Sequence, residues 1–214
     1  MSELYNPQAF KVEDPSLLAD VIDAISFATL VSNGPDGPRA SHLPFLLDRD
    51  AGEHGVLRGH LAGANGHLAN LDGAPVLAIF HGPAYYVTPS WYASKAADGK
   101  VVPTWNYVMV HARGHAHLYR DRVRLRDLVG RLTEHMERHR AAPWAVSDAP
   151  ADFVQRMVGQ IVGIDLPIEW LEGKFKLGQN RSAADRATLA AGVAAELPAI
   201  LEQLRSLPGH SIDL

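Results

Sequence analysis

Cysteine is absent from this chain of 214 residues. That excludes disulfides, iron–sulfur clusters, thiolate-bound zinc and cysteine nucleophiles. A chain without disulfides is compatible with a reducing cytosol. No apolar run approaches the roughly 20 residues that a bilayer-spanning helix needs, and the opening MSELYNPQAF lacks a signal-peptide pattern. A cytoplasmic protein, from a bacterial or other reducing cytosol and with no membrane partner, is therefore expected. Internal repeats, low-complexity tracts and linkers are missing too, so a single domain over 1–214 is expected. No strong positive charge is present: the net charge is −4 and the pI about 6.2, which argues against a generally basic nucleic-acid surface but not against a local patch. The early strands carry no Gly-x-Gly-x-x-Gly, which disfavours a dinucleotide-binding fold.

What is present suffices for a sizeable core, with 47% hydrophobic and 21% charged residues. DPSLLADVIDAI predicts a helix that Asp14 caps and Pro15 begins, with Leu17, Leu18, Val21, Ile22 and Ile25 on one face. FATLVS predicts a buried strand, turned by NGPDGP into RASHLPFLLD. VLRGHLA predicts the next strand, ANGHLANLDG a short helix capped by Asn65, PVLAIFHG and YYVTP two further strands, and SWYASKAADGK a mobile polar loop. Residues 101–119 alternate as one long strand, with Met109, His111, Arg113, His115, His117 and Tyr119 on one face. Helices are predicted over RDRVRLRDLVGRLTEHMERHR and SDAPADFVQRMVGQ, strand over IVGIDLPIEWLEGKFKL, and a last helix from Ser182 that Pro198 interrupts. Strands crowded together without intervening helices, followed by helices and returning strands, define an α+β fold: an antiparallel barrel with flanking helices.

Three histidines on one strand face suggest a metal site, a cofactor wall or a merely polar outer face. Same-face neighbours stand about 6.8 Å apart, so His111 and His117, about 20 Å apart, cannot share an ion. His135 and His139 are spaced to chelate, but HMERH is not the HExxH motif because its glutamate comes one place late. No metal site is expected. The segment from Arg120 to Arg140 holds seven arginines and four acids. It is a candidate DNA-backbone contact or, with Asp127 and Arg131 spaced for pairing, a solvated helix face.

Two clusters suit an anion. Arg58 and His60 leave a strand just before a helix start whose amides are free, a ready phosphate site or else an ordinary capped helix. Lys174 and Lys176 share a strand face, followed by Gln179, Asn180 and Arg181 in a loop that offers amides and cations to a heteroaromatic ring or a phosphate, or is simply solvated. Trp91, Tyr92, Trp105, Asn106 and Tyr107 suit a planar ring, a barrel core or a dimer interface. No Ser-His-Asp arrangement can be assigned, and no catalytic residue is proposed.

Taken together, FATLVS, SHLPFLLD, LRGHLAGAN, PSWY, VVPTWNY, APWAVSDAP and KFKLGQNR resemble the PaiB family of FMN-binding negative transcriptional regulators, from Tyr5 to about Arg186. The resemblance implies an antiparallel split β-barrel of the pyridoxamine-phosphate-oxidase-like type, a homodimer with FMN at the subunit interface, and DNA as a further partner. It makes Arg58, His60, Leu61 and Asn65 candidates for the flavin phosphate. Ser41, His42, Trp105 and Asn106 would approach the ring; Lys176, Gln179, Asn180 and Arg181 would close the site, from the same chain or its partner. It places residues 101–119 in a barrel and dimer-interface strand. The chain departs from the family at Gly178, where members tend to carry serine, at a cost to binding of about 1 kcal/mol for one lost hydrogen bond. The expected function is flavin-dependent regulation; the alternative is a flavin-dependent oxidoreductase acting on a small substrate.

Overall fold

The computed structural model describes residues 5–209, which divide into two compact units. Unit 1 holds the residues up to Ile25, His81–His111 and those from Glu172 on; unit 2 holds Ser26–Phe80 and Ala112–Leu171. Among the described residues, nine strands and six helices make an α+β arrangement: β1 Lys11–Val12, α1 Pro15–Ile25, β2 Phe27–Gly34, β3 Gly37–Asp48, β4 Val56–Ala62, β5 Pro75–Val87, α2 Ser94–Ala97, β6 Thr104–His115, β7 His117–Tyr119, α3 Arg122–Glu137, α4 Ala151–Val158, β8 Ile161–Pro167, β9 Trp170–Lys176, α5 Ala183–Glu196 and α6 Pro198–Ser206. Strands β5, β6 and β9 each run through both units.

In unit 2 the strand order is β5–β2–β3–β4–β8–β7. The ladders β2–β3, β2–β5, β3–β4, β4–β8 and β7–β8 are all antiparallel. Alternation sets the register. Ala28, Leu30, Leu43 and Phe45 enter the core, while Phe27 stays 56% exposed, so β2 is half-buried rather than the fully buried strand predicted. Helix α3 starts at Asp121, whose side chain accepts from the Arg124 amide at 2.8 Å. Its Leu125, Leu128 and Leu132 are buried, Leu128 and Leu132 against Leu46 and Leu125 against Val154 and Val158 of α4. Each such leucine contributes about 2 kcal/mol of apolar burial.

In unit 1 the order is β1–β9–β6–β5, with β1 antiparallel to β9. Asp14 caps α1 as predicted, accepting from the Ser16 amide at 2.9 Å, and Leu18, Val21 and Ile22 are buried. The predicted polar loop after β5 is built instead. Thr88 caps a 3₁₀ turn at Pro89–Trp91, and Asp185 of α5 accepts from the Ser94 amide at 2.8 Å and its hydroxyl at 2.9 Å, which fixes the start of α2. The two strands predicted in residues 75–89 are one continuous β5. The long strand predicted over 101–119 breaks at Ala116, because that residue's backbone turns to Gly73 and Ala74: Gly73 donates to its carbonyl at 2.7 Å and its amide donates to Ala74 at 3.0 Å.

Candidate functional site

Half of the predicted site residues fall in unit 2 and half in unit 1. In unit 2, adjacent residues of β3 face opposite ways, so Ser41 is buried and His42 is exposed. The two therefore present their side chains to opposite faces of β3. Ser41 belongs to an internal polar chain. Its hydroxyl lies 2.9 Å from Nδ1 of His67 and accepts from Asn65 Nδ2 at 3.1 Å, while the other imidazole nitrogen lies 2.7 Å from Ser32 Oγ. Asn65 also caps the 3₁₀ turn Gly66–Asn70 by accepting from the His67 amide at 2.9 Å. Burial, and then the positive Arg39 nearby, hold the His67 pKa below its ordinary value. His42 presents its face outward, stacked 6.5 Å from the Phe27 ring, with Nδ1 3.1 Å from Thr29 Oγ1.

On β4, Leu61 is buried in the core and Arg58 and His60 share the opposite face. Arg58 is fully engaged with carboxylates: Asp48 accepts from Nε at 3.1 Å and Asp165 from Nη1 at 2.9 Å. Arg124 of α3 also donates to Asp165 at 2.7 Å and lies 3.9 Å over the Tyr119 ring. Burial works against the Arg58 charge, but Asp165 and Asp48 outweigh it and raise its pKa. A phosphate there would have to displace a carboxylate. His60 turns towards apolar side chains of α3, α4 and β8, and burial depresses its pKa. An imidazole held neutral among apolar neighbours is poorly suited to a phosphate.

In unit 1 the residues after β9 are differently placed. Lys176 donates to Thr104 Oγ1. Its pKa is lowered by burial, then by the neighbouring Lys174 and Arg181. Lys174 is itself buried, donating to the Tyr5 carbonyl at 2.6 Å with its ammonium 5.7 Å from the Tyr107 ring. The Arg181 guanidinium lies 4.5 Å over Tyr92, and its charge helps to keep the Asp185 carboxyl below the usual range, behind the larger effect of the hydrogen bonds from Ser94. Gln179 braces its own turn, accepting from the Leu177 amide at 2.8 Å and donating to the Phe175 carbonyl, so it has less to offer a ligand than its sequence position suggests. Asn180 is exposed. Trp105 is 57% exposed and meets Tyr86 edge-on at 6.2 Å, whereas Asn106 is 1% exposed and donates to the Tyr85 hydroxyl at 3.2 Å. Like Ser41 and His42, they point to opposite faces.

Gly178 has φ +96°, where a side chain is strained, and a Cβ would come within 2.9 Å of Leu189. This backbone favours glycine at the position. Sequence reasoning missed His67 and Ser32. Their signal was a polar residue at a core parity: Ser32 follows Ala28 and Leu30 at intervals of two, and His67 sits where the Asn65 cap turns the chain inward.

The histidines of residues 101–119 alternate as read, His111 half-buried and His115 and His117 exposed; His115 Nδ1 lies 2.7 Å from Glu169. Among the described residues, no group of three or more His, Asp or Glu is placed to hold a metal ion. His135 lies 3.1 Å from Ser26 Oγ, and Arg138 donates to His139 at 2.9 Å. No helix among the described residues is long and apolar enough to cross a membrane.

The fold is that of flavin-binding split barrels. The "FAD and Heme binding protein" of Mycobacterium smegmatis superimposes with a TM-score of 0.58 at 19% identity, over 85% of this chain and 80% of that one. The flavocytochrome Anf3 of Azotobacter vinelandii gives 0.57 at 15% identity, over 83% and 75%. At the level of sequence, the family model described as "Putative FMN-binding domain" matches residues 4–170, and the chain belongs to that FMN-binding, PaiB-type family. The "Protease synthase and sporulation protein PAI 2" of Bacillus subtilis is 30% identical over 85% of each chain, and an uncharacterized protein of Emericella nidulans is 35% identical over 72% of this chain and 74% of its own. Relatives thus occur in fungi as well as bacteria. FMN or a related flavin is the cofactor this membership gives the chain.

The unit 1 residues fit such a group on two counts. Burial, and then the charges of Lys174 and Arg181, lower the Lys176 pKa, and an anion would offset the charge repulsion among the three cations. Trp105 and Tyr86 leave aromatic surface open beside β6, suited to a planar ring.

Proposed function

We propose that this chain is a flavin-responsive negative regulator of the PaiB type, acting as a homodimer with FMN at the subunit interface. The observation that carries the reading is the cationic group of Lys174, Lys176 and Arg181, with the Lys176 pKa lowered, in a unit that also exposes Trp105 and Tyr86. Lys176 and Arg181 would hold anionic oxygens of the flavin, Asn180 would add a hydrogen bond from the exposed turn, and Trp105 would offer an aromatic face to the ring. In unit 2, His42 offers an outward imidazole, while Ser41 and Asn65 remain in the internal polar chain with His67. When bound, FMN supplies a redox-active heteroaromatic ring; the protein binds it, orients it and limits its exposure to water.

The test is DNA retention by the purified protein, with and without FMN and across a salt series. Retention that weakens with salt and changes with flavin supports regulation. The α3 arginines are the first to probe, through Arg122, Arg124 and Arg126, although Arg124 is committed to Asp165 and Arg131 lies 4.0 Å from Asp127. Retention that ignores flavin contradicts the reading. One observation favours an oxidoreductase instead: cations gathered beside a flavin tune its electronics. Steady NAD(P)H consumption by flavin-loaded protein would favour that second reading.

A further inference from the structure

The 3₁₀ turn Gly66–Asn70 joins β4 to β5 within unit 2, and His67 is its one buried residue. Gly66, Ala69 and Asn70 are exposed. The hydrogen bonds around His67 close a ring, and their geometry fixes the direction of each. The His67 amide can only donate, so the Asn65 atom that receives it at 2.9 Å is the carbonyl Oδ1. Asn65 Nδ2 is then free to donate, and it reaches Ser41 Oγ at 3.1 Å. Ser41 keeps one hydrogen to give, and His67 Nδ1 lies 2.9 Å away to receive it. Nδ1 is therefore the bare nitrogen. The ring proton sits on Nε2, 2.7 Å from Ser32 Oγ.

A second proton has one place to go, Nδ1. Once Nδ1 is a donor, it and Asn65 Nδ2 both point at Ser41 Oγ, whose own hydrogen has lost its acceptor. A buried hydroxyl without an acceptor is costly, and turning Ser41 away relieves it. Asn65 then loses the contact that orients its amide, and with it the cap on the turn. Charge acts in the same direction. The charged group that bears on the imidazole is Arg39 of β3, which donates to the Gly66 carbonyl at 3.1 Å and to Asp36 at 3.4 Å. β2 and the turn bring the neutral Ser32 and Asn65 against it. Burial, and then Arg39, hold the His67 pKa below its ordinary value, so the ring of bonds is closed at neutral pH and opens in acid.

We propose that His67 is a proton-operated latch on the β4–β5 connection: with its proton on Nε2 it holds the turn through Ser41 and Asn65, and protonated at Nδ1 it releases both. The latch couples the charge of one buried imidazole to the order of an otherwise exposed turn. It stands whether or not the flavin reading holds.

The test uses the purified full chain, followed by NMR from about pH 8 to 4.5. Nitrogen shifts of the His67 ring should show a bare Nδ1 and a protonated Nε2 at neutral pH. As the ring titrates, hydrogen-exchange protection of the His67 amide should fall about tenfold, the loss of one capping bond, while Leu30 and Leu57 in the core stay protected. Ser41→Ala opens the ring of bonds and should leave that amide poorly protected at every pH. Arg39→Gln, a change at the surface that keeps the ring intact if the first variant folds poorly, should move the titration and the loss of protection together to higher pH. Any of four results would overturn the proposal. They are a proton on Nδ1 at neutral pH, protection that ignores the titration, an Arg39→Gln shift of one event without the other, or a ring that titrates only as the whole chain unfolds.

Discussion

The Arg58 guanidinium and the Lys176 amine carry the same charge in opposite surroundings. Arg58 sits between Asp48 and Asp165, and Asp165 also accepts from Arg124. Lys176 has Lys174 and Arg181 as its charged neighbours and a hydroxyl as its hydrogen-bond partner. The first cation is a structural tie that joins β3, β4, β8 and α3. The second is held at an electrostatic cost that an anionic ligand removes. A cation's value to a phosphate depends on what already balances it, and the balancing carboxylate can lie far away along the chain.

The contrast breaks most directly at the unit 1 loop. Replacing Lys176 and Arg181 together by alanine should weaken FMN binding about 100-fold, two charge-assisted contacts at roughly 1.5 kcal/mol or more each, as read by flavin fluorescence titration. In the wild type, affinity should decline as pH rises through the Lys176 pKa, below the ordinary 10.5, since only the protonated amine attracts an anion. Arg58→Ala should act on stability instead. It leaves Asp48 and Asp165 less compensated and should cost about 2 kcal/mol, lowering Tm by roughly 6 °C, with FMN affinity within about threefold of wild type.

A smaller effect tests the loop's backbone. Gly178→Ser should destabilise by about 1–2 kcal/mol because of the positive φ and the nearness of Leu189, measured by urea unfolding. The mildest signature belongs to unit 2. His60 and His67 both have folded pKa values below 6.5. Above pH 6.5 neither state binds the proton; below it the unfolded chain takes up protons that the folded chain resists, so stability falls as pH falls. His67→Gln should flatten that slope in a melting series from pH 7 to 5, and an unchanged slope would remove His67 as a cause.

Much of this was legible in residue order. Period-two alternation put Val108 and Val110 on one face, which is the buried one, and the caps Asp14, Asn65 and Ser182 marked element starts. What local pattern cannot supply is a long-range partner. Asp165 is 107 residues from Arg58, and nothing in VLRGHLA announces it. The same holds for Asp185, 91 residues from Ser94, which turns an apparently loose loop into α2. The pleat sends Ser41 and His42, and Trp105 and Asn106, to opposite faces, which the motifs naming them together do not state. The motif resemblance reached the family because it reads residue order; roles depend on what each side chain meets in space.

The decisive measurement is a calorimetric FMN titration of three proteins side by side: wild type, Lys176→Ala with Arg181→Ala, and Arg58→Ala. The expected result is tight, saturable binding by wild type and Arg58→Ala, the latter at lower Tm, with affinity nearly lost in the double variant. Binding that survives the loss of Lys176 and Arg181 but disappears with Arg58 would contradict the assignment of the cofactor's anionic contacts to unit 1.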